Sequence, residues 1–177
     1  MNTDYKTMLI TGTTQGIGYQ LYKYYKDKYN IITINRQDIG DNNYVCDLSN
    51  MNEVRELISQ IASINVDILI NNAGGASPVH FLDMTIDELI AVSTLNYHTP
   101  ILLMQAVING MVNRGYGKII NISSIGSKSP RPLIAHYGAA KSALEKFSSS
   151  IAVAYGGTGV SVNCICPGGI NTKTSIE

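Results

Sequence analysis

The feature that most constrains the fold is a regular alternation of short apolar runs with segments whose apolar residues recur at helical spacing. Six runs have the composition of buried strands, and they lie at 7–11, 30–35, 44–46, 66–71, 117–123 and 160–165. Between most of them, apolar side chains return every three or four positions. Repeated β-α-β units require a largely parallel sheet with helices on both faces. The sequence therefore predicts one α/β domain over residues 1–177, with a doubly wound parallel sheet of about six strands.

The predicted helices carry identifiable start signals. Ile17 and Leu21 begin a helix that is expected to run to about residue 28. Ser49 or Asn50 is placed to cap the next helix, which continues to about residue 61. The third predicted helix starts at a Thr85–Glu88 capping box, is broken or restarted at Pro100 and ends near 113. A fourth helix is predicted over 136–155. The segment 36–43 is too short for a crossover helix, so a loop is expected to leave the third strand poorly covered.

Composition narrows the function classes. Thirteen basic residues balance thirteen acidic ones, so a basic nucleic-acid-binding face is not expected. No apolar run approaches the length of a membrane span, and the first residues do not resemble a secretory leader. The three cysteines are expected to be reduced and mostly buried, which favours a cytoplasmic protein. The histidines lack metal-ligand spacing, so no metal site is predicted.

A glycine-rich turn, "TGTTQGIG" at 11–18, joins the first strand to the first helix. Gly12 permits a tight turn, Gly16 lets a phosphate approach the backbone, and Gly18 lets the helix pack closely. The free N–H groups at the helix N-terminus favour a pyrophosphate. A tight turn without a ligand is the alternative, but the turn opens the first β-α-β unit, where a dinucleotide binds in a Rossmann-type fold.

The end of the second strand bears on cofactor choice. An acidic residue there binds the adenosine ribose and repels a 2′-phosphate, but this chain has Asn35 followed by Arg36. A guanidinium suits a phosphate, so NADP(H) is favoured over NAD(H). The alternative is that Arg36 is simply a solvated loop residue.

Tyr137 and Lys141 lie four residues apart in "HYGAAKSALEKF", on one face of a predicted helix. A free phenol has a pKa of about 10, and a neighbouring ammonium lowers such a value. The pair is therefore a candidate acid/base at a carbonyl or alcohol oxygen. Coincidence is the alternative, although the small residues between them leave room for a flat ligand or another helix.

Taken together, seven motifs make the chain resemble the short-chain dehydrogenase/reductase family. They occur in the family's order: "TGTTQGIG", "CDLS", "NNAG", "LNY", "NISS", "YGAAK" and "CPGGINT". The resemblance implies a catalytic tetrad. Tyr137 would exchange a proton with the substrate oxygen, and Lys141 would stabilise its phenolate and hold the nicotinamide ribose. Ser124 would hydrogen-bond the substrate oxygen, and Asn96 would hold a water that links Lys141 to solvent.

The same resemblance implies a set of cofactor contacts. Pro167 and Gly168 would form a wall against the nicotinamide, and Thr172 would bond its carboxamide. The full implied set, with Tyr137 and Lys141, is Gly12, Thr13, Gln15, Gly16, Ile17, Gly18, Arg36, Asp47, Leu48, Asn72, Ala73, Gly74, Pro167, Gly168, Ile170 and Thr172.

The chain departs from the family at its C-terminal end. Family members continue with a lid, a helix and a seventh strand, so the sixth strand is expected to be a sheet edge here. A fragment of a longer chain is the favoured explanation, with a covering partner chain or a natural truncation as alternatives. The resemblance implies carbonyl reduction or alcohol oxidation, and 3-oxoacyl-carrier-protein reductases are among the nearest family shapes. The alternative is a catalytically weak dinucleotide-binding or scaffold protein.

Association into a homo-oligomer is expected from the same resemblance. Family members usually associate through the helices that correspond to 97–113 and 137–155. The apolar run "ILLMQAVINGMV" suits such an interface or a buried core equally well.

Overall fold

The structure, a computed structural model, describes residues 5–170 and contains one six-stranded parallel sheet. The strands follow the order β3-β2-β1-β4-β5-β6. Their bounds are Thr7–Thr11 (β1), Asn30–Asn35 (β2), Asn43–Val45 (β3), Ile68–Asn71 (β4), Gly117–Ile122 (β5) and Val160–Ile165 (β6). The chain order reverses between β1 and β4, so the carboxyl ends of these two strands border the crevice where this fold binds ligands.

Within residues 5–170, five α-helices connect the strands. Their bounds are Gly16–Tyr25 (α1), Met51–Ile61 (α2), Ile86–Ser93 (α3), Thr99–Asn113 (α4) and Ala135–Ala154 (α5). A π-helical segment, Thr94–His98, joins α3 to α4 without a break, and Pro100 lies in the first turn of α4. The helical path therefore continues through Pro100 without a break, and of the two predicted outcomes only the restart applies, because the regular α-helix α4 begins at Thr99.

Alternate residues of each central strand face opposite layers. Leu9 of β1 packs with α2 and α4, whereas Met8 and Ile10 pack with α1. Both layers are apolar, which explains why the strands are continuous apolar runs. The apolar run of α4 contributes Leu103, Met104, Val107, Ile108 and Met111 to the larger layer, so these five side chains belong to the core.

Several element limits differ from the predictions. Helix α1 ends at Tyr25 rather than near residue 28, and β4 begins at Ile68 rather than at 66. Asn50, not Ser49, caps α2 by accepting a hydrogen bond from the amide of Asn52. As expected, a loop joins β2 to β3, and β3 is short with half-buried or exposed side chains. Strand β6 is an outer strand of the sheet over the described residues.

Over residues 5–170, no helix combines the length and the apolar character that crossing a membrane requires. In the same range, no three or more His, Cys, Asp and Glu side chains lie close enough together to hold a metal ion.

Candidate active site

A cavity of about 1010 Å³ lies over the carboxyl ends of the central strands. Sixteen of the residues proposed for catalysis or cofactor binding line it: Gly12, Gln15, Gly16, Ile17, Arg36, Asp47, Leu48, Asn72, Ala73, Gly74, Ser124, Tyr137, Lys141, Pro167, Gly168 and Ile170. The fold thus brings together residues from both ends of the chain. Thr13, Gly18 and Asn96 lie beside the cavity rather than in its wall, and Thr172 lies outside the described residues.

The glycine turn has no room for side chains at two positions. Gly12 has a φ of +71°, and a Cβ built there would lie 3.0 Å from the Cα of Ala73. A Cβ on Gly18 would lie 2.1 Å from the carbonyl oxygen of Gly12. The first glycine therefore permits the turn, and the third lets α1 pack directly against it, as the spacing predicts.

Side-chain hydrogen bonds fix the turn against neighbouring strands. The amide of Asn72 donates to the carbonyls of Thr11 and Gly12, at 2.9 and 2.8 Å. The Thr11 hydroxyl accepts from the backbone N–H groups of Asn72 and Ala73, at 3.0 and 2.9 Å. Thr11 was not among the predicted site residues, and only the adjacency of β1 and β4 makes its role visible.

Asn35 is a second residue whose role the sequence did not predict. Its side chain is buried, accepts a hydrogen bond from the backbone N–H of Thr13 at 2.7 Å and donates to Asn43 at 2.8 Å. It also donates to the Thr13 hydroxyl at 2.9 Å. Asn35 therefore ties the glycine turn to β3, and Thr13 serves that contact with a buried side chain.

Arg36 and Asp47 lie at the same end of the cavity. Arg36 is exposed, whereas Asp47 follows β3 and accepts hydrogen bonds from the backbone and the hydroxyl of Ser49, at 2.9 and 2.7 Å. Burial opposes ionisation of Asp47, but the Ser49 hydrogen bonds and the nearby Arg36 charge lower its pKa below the usual range. This end of the cavity thus holds an exposed cation beside an ionised carboxylate.

Lys141 is almost completely buried, with 2% of its surface exposed. Its ammonium donates to the carbonyl of Ile122 at 2.7 Å and lies 5.8 Å from the centre of the Tyr137 ring. Burial lowers the pKa of Lys141 to about 8. A cation held in such a place is costly for folding, and residues of this kind concentrate at functional sites.

Tyr137 and Ser124 face each other across a glycine. A Cβ built on Gly126 would lie 3.4 Å from the Ser124 hydroxyl oxygen and 3.8 Å from Cε1 of Tyr137. Another glycine, Gly138, brings α5 close to the same loop, since a Cβ there would lie 2.7 Å from the Gly126 carbonyl. The small residues of "YGAAK" therefore allow close packing beside the tyrosine, one of the two uses that the sequence suggested.

Asn96 lies in the π-helical segment and is fully buried. Its side chain accepts from the N–H of Gly75 at 3.0 Å and donates to the carbonyls of Gly75 and Val92. A Cβ on Gly74 would lie 2.7 Å from Asn96 Oδ1 and 3.0 Å from Lys141 Nζ. Gly74 thus separates the asparagine from the lysine, and a side chain there would push both away.

The fold and this site together match one family. The family model described as short chain dehydrogenase matches residues 6–177, and the chain belongs to the short-chain dehydrogenase/reductase family of NAD(P)-dependent oxidoreductases. The chain is 32% identical to a 3-oxoacyl-(acyl-carrier-protein) reductase from Rickettsia typhi, over 94% of this chain and 73% of that protein. It is also 32% identical to a dehydrogenase/reductase SDR family protein 7-like from Drosophila melanogaster, over 74% of this chain but only 41% of that protein.

Solved structures agree with this assignment. A 4-hydroxyisoleucine dehydrogenase complexed with NADH superposes with a TM-score of 0.86 at 29% identity, over 96% of this chain and 78% of that one. The predicted fold class and family are therefore confirmed.

Proposed function

We propose that the protein is an NADP(H)-dependent oxidoreductase that interconverts a carbonyl and a secondary alcohol, with Tyr137 as the acid/base. The observation that carries the proposal is the convergence of Tyr137, Lys141 and Ser124 on the cavity that the glycine turn also lines. A buried ammonium, a phenol and a hydroxyl around one space have the chemistry that carbonyl reduction requires.

The cavity fits a nicotinamide dinucleotide. Gly12, Gln15 and Gly16 of the glycine turn line the cavity beside the N-terminus of α1, where backbone N–H groups favour a pyrophosphate, and the N-cap residue Gln15 makes no side-chain capping hydrogen bond to the described residues. The cofactor would be held by the cavity-wall residues of the implied cofactor set, from Gly12 to Ile170. Pro167 and Gly168 would lie at its nicotinamide end. When bound, the cofactor supplies or accepts a hydride.

The preference for NADP(H) over NAD(H) rests on the end of β2. Asn35 stands at the position where an acidic residue would bind the ribose hydroxyls. Its side chain is hydrogen-bonded to Thr13 and Asn43 instead. Arg36 is exposed in the cavity wall and offers a guanidinium to a 2′-phosphate. A neighbour of the same fold is complexed with NADH, so the fold alone does not favour NADP(H), and the proposed preference rests on these side chains.

In this proposal the four polar residues have distinct tasks. The Tyr137 hydroxyl gives its proton to the substrate oxygen in reduction and takes it back in oxidation. The Lys141 ammonium stabilises negative charge on the phenol oxygen, and the Ser124 hydroxyl donates a hydrogen bond to the substrate oxygen. Asn96, which holds Gly75, fixes the wall beside Lys141 and would bind the water that exchanges protons with solvent.

The substrate proposed is a small carbonyl compound or alcohol, and 3-oxoacyl thioesters are the first class to test. They are suggested by the name of the Rickettsia relative. We also propose a cytoplasmic homo-oligomer that associates through the exposed faces of α4 and α5. The inner faces of these helices are already used by the core.

The direct test compares wild-type protein with Tyr137→Phe. Titration of NADPH fluorescence should give the same dissociation constant for both proteins, whereas reduction of a 3-oxoacyl thioester should be lost only in the variant. Tyr19→Phe, at an exposed tyrosine of α1, is the matched control. Equal turnover in wild type and Tyr137→Phe contradicts the assigned role. Tight NADPH binding by a wild type that reduces no carbonyl compound favours the dinucleotide-binding alternative.

A further inference from the structure

The carboxylate of Glu145 collects four donors from two segments that border the active site. It accepts hydrogen bonds from the hydroxyls of Ser123 and Ser127 and from the thiol of Cys166, the last at 3.1 Å, and it pairs with the ammonium of Lys128. Glu145 belongs to α5, one helical turn beyond Lys141 and two turns beyond Tyr137. No motif singled out this residue.

The donors sit next to residues with proposed roles. Ser123 directly precedes Ser124, the proposed donor to the substrate oxygen, and Cys166 directly precedes Pro167 in the cavity wall. Ser127 and Lys128 end the short helical turn that follows Ser124. The Glu145 carboxylate therefore contacts the segment after β5 and the segment after β6 at once.

Backbone hydrogen bonds join those two segments to each other. The N–H of Ser123 donates to the carbonyl of Ile165 at 2.7 Å, and the N–H of Ile125 donates to the carbonyl of Pro167 at 2.9 Å. Glu145 anchors this joined pair to the helix that carries Tyr137 and Lys141. The Ser142 hydroxyl adds a weaker neutral link from the same helix to the carbonyl of Ser127, at 2.9 Å.

We propose that Glu145 is a positioning residue. It holds the segment after β5, which carries Ser124, and the segment after β6, which carries Pro167, in a fixed position relative to Tyr137. The inference rests on the proposed function, since it assigns Glu145 a task in that same reaction. Substrate oxygen must lie within hydrogen-bond reach of both Ser124 and Tyr137, which reside on different elements. A shared anionic acceptor fixes the relative position of those elements without touching substrate or cofactor.

The charge state of Glu145 suits this task. Burial alone would raise its pKa, but the hydrogen bonds from Lys128, Ser123, Ser127 and Cys166 lower it to about 2. The carboxylate is therefore ionised at neutral pH, and its two oxygens accept from all four donors. A glutamine in its place would retain one acceptor oxygen and turn an amide donor toward the other partners.

The kinetic test uses Glu145→Ala and Glu145→Gln, with Lys146→Ala as the control on the exposed side of the same helix. Glu145→Ala should lower kcat by about tenfold or more, because small misplacements of reacting groups have effects of that size. Glu145→Gln should fall between Glu145→Ala and wild type. The dissociation constant for NADPH should match that of the control in both variants, since the glycine turn is untouched.

A double-mutant cycle distinguishes positioning from general loss of stability. Ser123→Ala should lower kcat in the wild-type background but have less effect in the Glu145→Ala background, because the hydrogen bond is already absent there. Additive effects, or a Glu145→Ala protein with the kcat of the control, overturn the proposal. If Glu145→Ala does not fold, Glu145→Gln is compared with Lys146→Ala in kcat and in the alkylation rate of Cys166, neither of which requires the hydrogen bond from Ser123 to be absent.

A second readout does not depend on turnover. Burial raises the pKa of the Cys166 thiol, and the hydrogen bond and charge of Glu145 raise it further. Alkylation of Cys166 by iodoacetamide, located by peptide mass spectrometry, should therefore be faster in Glu145→Gln than in wild type or Lys146→Ala. Cys166→Ser gives the background from Cys46 and Cys164. An unchanged rate refutes the contact itself, whereas an inactive wild type with the expected rates refutes only the proposed function.

Discussion

Replacement of Lys141 by methionine should abolish turnover and yet make the cofactor-free protein more stable near neutral pH. Lys141 is 2% exposed and its ammonium donates to the Ile122 carbonyl, so folding must take a charge out of water. Burial lowers the pKa of Lys141 from 10.5 to about 8. Methionine fills a similar volume without a charge.

The magnitude follows from the two pKa values. A difference from 10.5 to about 8 corresponds to about 3 kcal/mol of unfolding free energy. Loss of the hydrogen bond to Ile122, which involves a charged donor, offsets about 1.5–3 kcal/mol of this. The Lys141→Met protein should therefore be more stable than wild type by up to about 1.5 kcal/mol at a pH below 8, where the penalty on the ammonium is complete.

The stability of wild type relative to Lys141→Met should rise as the pH rises. Between about pH 8 and pH 10.5 the unfolded chain binds a proton at this lysine that the folded protein does not, so wild-type stability rises relative to the variant. Above about pH 10.5 the lysine is neutral in both the folded and the unfolded protein, so burial no longer destabilises the wild type. The difference between the two proteins should thus change by about 3 kcal/mol across this window.

Urea unfolding of both proteins at a series of pH values measures this difference in unfolding free energy. Titration of the other residues contributes equally to both proteins and cancels in the difference. Lys146→Met, on the exposed face of α5, is the control and should show a constant difference from wild type. A difference for Lys141→Met that also stays constant from about pH 7 to pH 10.5 would show that Lys141 titrates normally, and the burial argument would then be wrong.

Two further predictions concern the cofactor end of the site. Arg36→Asp should weaken NADPH binding by about tenfold or more and leave NADH binding intact or improved, because a charge-assisted contact to phosphate is worth about 1.5–3 kcal/mol. Lys23→Asp on the exposed side of α1 is the control, and an unchanged NADPH:NADH affinity ratio in Arg36→Asp would count against the preference. Gly18→Ala should abolish binding of both cofactors and lower stability by about 1–3 kcal/mol, since its Cβ would lie 2.1 Å from the Gly12 carbonyl oxygen. Gly156→Ala, whose Cβ would lie 3.4 Å from its nearest neighbour, is the control, and normal cofactor titration of Gly18→Ala would contradict the packing argument.

The sheet could be predicted from the sequence because its central strands are buried on both faces. Ile31 and Ile32 lie on opposite faces of β2 and both are buried, so the apolar run is continuous and short. The glycine turn and the Tyr137–Lys141 pair were predictable because each depends on residues a few positions apart. Local spacing is what a single sequence records best.

The contacts that complete the site were not predictable in that way. Asn35 contacts Thr13 across 22 positions, Thr11 contacts Asn72 across 61, and Glu145 contacts Ser123 across 22. Each pair becomes adjacent only when strands and helices take their places in the sheet. Thr13 and Asn72 lie in recognisable motifs, but nothing in the local sequence identifies Asn35, Thr11 or Glu145 as their partners or as partners of Ser123.

The π-helical segment between α3 and α4 inserts one residue into an otherwise continuous helical path. Residues before it, such as Val92, face the cavity, whereas residues after it, such as Leu103, face the core. The inserted residue sets the angle, about the helix axis, between the cavity-facing residues of α3 and the core-facing residues of α4. Loss of a single residue from Thr94–His98 would consequently rotate the cavity-facing residues of α3 by about 100° against the core-facing residues of α4.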